Sequence, residues 1–167
     1  MFSVQLEQRV SLKFLVKLGK MFAEVYAMLE EVYGTCKGHY QDFNFYKVAD
    51  AVIATLHSAN LFFETLKPWE LKKNPDTLNE LNVVLHLALE TLRVSAILLQ
   101  PLIPNICGRL LDKMGVGEGE RFFGDAEKLS WANEEFRERK LTPEKLVLFK
   151  RIVTEQGGKS RQDAKKV

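Results

Sequence analysis

The chain has 167 residues, a net charge of +2, and is 46% hydrophobic and 28% charged. That size and composition describe one globular domain able to bury a core, and they exclude a disordered chain. The near-neutral balance also excludes a global basic footprint, so any nucleic-acid binding has to come from a local patch.

Met1 to Lys20 carries Arg9, Lys13, Lys17 and Lys20 against Glu7 alone. This is faintly like a mitochondrial presequence, but the start of a first helix is the simpler reading. Leu15, Leu18, Phe22, Val25, Leu29 and Val32 recur at four and three residues, one stripe of an amphipathic helix. Gly34 is expected to cap its C-terminus.

A second stripe follows: Phe45, Ala49, Val52, Leu56, Ala59, Phe63 and Leu66. Asp42 or Asn44 is expected to accept the free amides at its start, and Pro68 to stop it. Asn74-Pro75-Asp76 signals a turn, and Thr77 to Glu80 reads as a capping box. The third stripe is Leu78, Leu81, Leu85, Ala88, Leu92, Ala96 and Leu99, on a helix apolar over much of its circumference. That helix is expected at the centre of the fold.

Pro104 opens a fourth helix with Ile106, Leu110, Leu111 and Met114 on its face, and Gly115 ends it. The glycines at 115, 117, 119 and 124 mark a loop, read as a helix stop and nothing more. Asp125 to Pro143 is charged with little periodicity, and Leu146 to Val153 is a short apolar segment of unassigned type. No alternating strand pattern occurs. The fold expected is all-α, an antiparallel helical bundle. The expected division is an N-terminal helix over 1–34, a bundle over 35–153 and a flexible basic tail over 154–167.

Catalytic constellations are absent from the pattern. His57 and His86 read as helix-flank histidines without nucleophile partners. Cys36 and Cys107 form no Cys-x-x-Cys pair and match no zinc spacing with the three histidines. Two idle thiols in a reducing compartment are expected. Gly157-Gly158-Lys159-Ser160 imitates the end of a phosphate-binding loop, but Val153 stands where its first glycine belongs. No uninterrupted apolar run approaches the roughly 20 residues of a membrane span, so no membrane partner is expected.

One corner carries chemistry. Trp69 follows Pro68 just past a helix end, among Lys67, Lys72 and Lys73. A tryptophan there is either a core plug or a platform on which an unpaired base stacks, with the lysines against phosphates.

The residues of this corner resemble a known family. Ala59-Asn60, Lys67-Pro68-Trp69-Glu70-Leu71, Leu89-Glu90-Thr91-Leu92-Arg93 and Leu98-Leu99-Gln100-Pro101-Leu102-Ile103-Pro104 resemble the C-terminal anticodon-binding domain of methionyl-tRNA synthetases. Leu110 to Val116, Lys140 to Pro143 and Leu148 to Ile152 continue the likeness in order, from about Gln41 to Ile152. It looks nearest to the animal mitochondrial form, notably at Phe45-Tyr46-Lys47 and Val84 to Glu90.

The resemblance implies a bundle of the class I synthetase anticodon-binding type, with Trp69 against the first base of the CAU anticodon and Pro68 shaping the corner. The candidate nucleic-acid-binding residues are Trp69, Pro68, Asn60, Lys67, Lys72 and Lys73. The family's Asn-x-x-x-Arg pair on the first helix has no counterpart between Met1 and Gly34. The catalytic signatures of class I synthetases are also missing, so the chain is expected to be part of a larger enzyme and inactive alone. The partners implied are the tRNA-Met anticodon loop and the catalytic domain of the parent synthetase. That parent would use ATP and Mg, with no cofactor in this chain. The mitochondrial matrix is the favoured compartment, the cytoplasm the alternative. A helical protein-interaction domain that no longer reads tRNA is the competing expectation.

Overall fold

The computed structural model describes residues 2–129, 140–143 and 145–149, with side chains described from Gly19 onward. The expected tail over 154–167 lies outside these, as do residues 150–153. Among the described residues five α-helices follow in order: α1 (Phe2–Gln41), α2 (Phe45–Leu66), the single-turn α3 (Pro68–Leu71), α4 (Leu78–Leu99) and α5 (Pro104–Lys113). No strand occurs among the described residues, as the sequence pattern indicates.

α1 does not stop at Gly34. It runs on through Gly34 and Gly38 because Tyr33, Cys36 and the half-buried Tyr40 extend the stripe that buries Val25, Leu29 and Val32. It ends at Phe43, which takes the left-handed conformation at φ 58°. The Asn44 amide reaches back to the His39 carbonyl at 2.8 Å, and the Phe43 amide to Tyr40 at 3.2 Å, which is the Schellman pattern. Asn44 stands at the N-cap of α2 but makes no side-chain cap bond there. The three residues between the helices set α1 and α2 side by side, with α4 packed on both.

α4 is the central helix, and it is turned differently from the stripe in the sequence. Leu78, Leu85 and Leu92 remain 46%, 40% and 37% exposed, while Val84, Leu87, Thr91, Val94, Ile97 and Leu98 are buried. A helix apolar almost all round has no unique face by pattern alone. Here the deciding residues are polar. Glu80, Glu90 and Arg93, the only charged residues of α4, are all buried. The stretch Pro75–Leu99 is long and apolar enough by composition to cross a membrane, yet 56% of its qualifying 18-residue window is buried inside the bundle.

Arg93 forks onto Glu90, with Nε to Oε2 at 2.9 Å and Nη2 to Oε1 at 2.7 Å. It also donates to the carbonyls of Asp125 at 3.0 Å and Lys128 at 2.8 Å. These bonds change the reading of the glycine-rich loop. Residues 115–129 form two short 3₁₀ turns, Glu118–Glu120 and Phe123–Ala126, packed on the core through buried Val116, Ala126 and Leu129. Phe123 lies 5.3 Å from the Tyr33 ring and 5.6 Å from that of Tyr40, docking the segment onto α1. Gly115 ends α5 as expected, at φ 69°. A Cβ there would meet the Lys140 carbonyl oxygen at 2.8 Å, so the close return of the chain also requires glycine.

The capping box at Thr77 is not formed. The Thr77 hydroxyl donates to the carbonyls of Leu71 at 2.6 Å and Asn74 at 2.9 Å, so it closes the turn after α3. Asn74 does the capping instead, accepting the Asp76 amide at 3.0 Å. Glu80 turns inward, and burial pushes its carboxyl above the ordinary value.

Removing one member of a buried bidentate pair strands the other, so Arg93→Met is expected to cost about 3–5 kcal/mol in urea unfolding. Adding Glu90→Leu restores only part of this, because the carbonyls of Asp125 and Lys128 stay unsatisfied at about 1–3 kcal/mol each. For Glu80 the folded state holds its proton more tightly than the unfolded one. That contribution is complete below the unfolded value and is lost as pH rises through the folded one. Glu80→Gln therefore raises the urea midpoint relative to wild type at pH 7 and leaves it unchanged near pH 3. Equal differences at both pH values would refute the assignment.

Candidate nucleic-acid interface

The corner after α2 is built by one residue in an uncommon conformation. Pro68 cannot continue a helix and pushes its predecessor out of the helical region. Lys67 answers with φ 48° and ψ 63°, the left-handed region. Its amide donates to the Phe63 carbonyl at 3.1 Å, which closes α2. Its own carbonyl accepts the amides of Glu70 at 2.8 Å and Leu71 at 3.3 Å, which opens α3. A single residue thus caps two helices. For a side-chain-bearing residue the left-handed conformation costs about 1–2 kcal/mol.

Beneath the corner, Leu66 and Val84 form a small buried cluster with Met21, Phe62, Phe63, Leu71 and Val83 against it. Pro68, at the first position of α3, is buried, whereas the adjacent Trp69 is 50% exposed. The indole meets Phe63 edge-on, with ring centroids 6.5 Å apart at 61°. Trp69 is therefore not a core plug. It rests against the Phe63 ring and is half open to solvent.

The charges divide unevenly. Lys73 is held by Glu70, with Nζ at 2.9 and 2.8 Å from the two carboxylate oxygens. Lys67 and Lys72 are exposed, and among the described residues neither is ion-paired. Asn60 is exposed on α2, seven residues before Lys67, or about 10 Å along the helix axis. The structure thus gathers Lys67, Pro68, Trp69, Lys72 and Lys73 at one corner and leaves Asn60 two turns away. Two features escaped the sequence pattern, the edge contact of Phe63 and the backbone of Lys67. The Glu70–Lys73 pair was visible as an i,i+3 spacing.

An exposed indole on a fixed corner can stack on a planar ring, and free ammonium groups beside it can meet phosphates. Among the described residues, nothing at the corner is arranged as an acid, base or nucleophile. Among the described residues, no group of three His, Cys, Asp or Glu side chains could hold a metal ion.

Comparison with known proteins agrees with this architecture. The profile of the family described as the anticodon binding domain of methionyl tRNA ligase matches residues 16–163. The mitochondrial methionine–tRNA ligase of Bos taurus is 38% identical over 141 residues, covering 80% of this chain and 24% of that protein. The Mus musculus counterpart is 38% identical over 137 residues, covering 78% and 23%. The methionine–tRNA ligase of Rickettsia felis is 41% identical over 78 residues, covering 46% and 15%. The chain thus spans about a quarter of the length of the mitochondrial relatives. In fold it matches the apo methionyl-tRNA synthetase of Mycobacterium tuberculosis with a TM-score of 0.68 at 22% identity, over 80% of this chain and 26% of that one. The chain belongs to the family of methionyl-tRNA ligase anticodon-binding domains.

Proposed function

We propose that this domain reads the anticodon of a methionine tRNA on behalf of a methionine–tRNA ligase. The observation that carries the reading is the half-exposed Trp69, presented next to a buried proline in a chain of this family. The indole stacks on one unpaired anticodon base, and Lys67 and Lys72 lie against phosphates. Lys73 contributes less, because Glu70 already neutralises it. Asn60 lies far enough back along α2 to meet a neighbouring nucleotide, not the stacked one. Methionine activation with ATP and Mg belongs to the catalytic part of the parent ligase, the second partner of this domain. The mitochondrial names of the relatives support the mitochondrial matrix as its compartment.

Stacking of one base on an aromatic ring is worth about 1–3 kcal/mol by alanine substitution. Trp69→Ala is thus expected to weaken binding of a methionine tRNA by about 5–150-fold in a fluorescence or filter titration. Because half the ring is already in water, the same change should cost less than the roughly 3–5 kcal/mol typical of a buried tryptophan. Wild-type affinity should fall steeply with salt as phosphate-bound counterions are released. Equal binding by wild type and Trp69→Ala, together with indifference to a scrambled anticodon, would sink the proposal.

A further inference from the structure

We infer that Lys67 serves the RNA-binding corner chiefly through its backbone, as the positioning residue that aims Trp69, and only secondarily through its charge. The inference rests on the anticodon-reading proposal and assigns a distinct role within it.

The left-handed conformation of Lys67 is disfavoured twice, once by its Cβ and once by the proline that follows, which drives its predecessor towards extended backbone. Such strain persists where surrounding structure over-determines it, and it gathers at functional sites. Here the over-determination is explicit. Three backbone hydrogen bonds converge on residue 67, from its amide to Phe63 and to its carbonyl from Glu70 and Leu71. Its side chain, by contrast, is exposed and makes no ion pair among the described residues. The conformational order of Lys67 therefore lies in its main chain.

That order decides which way α3 faces. Pro68 and Trp69 are consecutive on one helical turn, so their side chains point about 100° apart. With residue 67 left-handed, Pro68 is buried and Trp69 stands out against the edge of Phe63. Extended backbone at 67 would rotate the four-residue helix as a unit. Pro68 would then leave its buried position, and the indole would lose both its support and its direction.

The test compares variants that all lack the ammonium group but differ in tolerance of the left-handed region. Lys67→Gly and Lys67→Asn accept it, whereas Lys67→Val opposes it. Each is made in a Trp131→Phe background, which leaves Trp69 as the single tryptophan. Two readouts are taken: affinity for a methionine-tRNA anticodon stem-loop, and acrylamide quenching of Trp69 emission without RNA. The Gly and Asn variants should bind within about threefold of each other, with Val at least about tenfold weaker than Gly and close to Trp69→Ala. Quenching should match the parent background for Gly and Asn and shift for Val. Salt dependence should be the same for all three, since each has lost one cation. If circular dichroism shows Lys67→Val unfolded, Lys67→Ala takes its place with the same ordering. Equal affinity and equal quenching for Gly and Val would overturn the inference. If Trp69→Ala binds like wild type, the anticodon-reading proposal fails, and the quenching series alone then decides whether residue 67 aims the ring.

Discussion

The guanidinium of Arg93 is the point on which the arrangement depends. It lies in the middle of the central helix with almost no exposure and engages Glu90 through two bonds. Alone, a buried ion pair contributes little net stability, because desolvation offsets the attraction. This one does more, since its remaining donors also hold the carbonyls of Asp125 and Lys128 in the segment after α5. One turn before Glu90, His86 meets the Tyr26 hydroxyl of α1 at 3.3 Å. A polar seam thus crosses the core from α1 through α4 to the 3₁₀ segment. It gives a core made largely of interchangeable leucines and valines one definite register.

That seam explains why α4 was legible in existence but not in orientation. Its position at the centre follows from hydrophobic density alone. Its rotation does not, because Leu78, Leu85 and Leu92 form a stripe as regular as the one that is buried. Sequence patterning assigns polar residues to the outside. Glu90 and Arg93 invert that rule only because they satisfy each other and two distant carbonyls, and those carbonyls come from residues more than thirty positions later. The glycine-rich loop hides its packing for the same reason. Its packing is specified by partners far away in the chain, by Arg93 and by the rings of Tyr33 and Tyr40.

Helix ends show the same division. α1, α2 and α5 are each followed within two residues by a left-handed one, respectively Phe43, Lys67 and Gly115. Only the last was readable, since glycine has no steric reason to avoid that region. Phe43 and Lys67 adopt it against their own preference, one beneath a ring contact with Phe45 and the other ahead of a proline. At the candidate site, the tryptophan, the proline and the lysines were all legible as residue types. The direction in which the ring points was not, because that depends on a single φ angle. The pairing of Lys73 with Glu70, by contrast, follows from their i,i+3 spacing.

The two cysteines have a consequence of a different kind. Cys36 on α1 and Cys107 on α5 are both buried, and burial pushes each thiol up to about 11. At neutral pH both thiols are protonated as well as shielded from solvent. A thiol reagent can therefore label the folded chain only as fast as its core opens. Both sulfurs lie in one core cluster, Cys36 coming from α1 and Cys107 from α5. Labelling at either position thus reads how often the bundle opens around that cluster, with no substitution needed to install the probe.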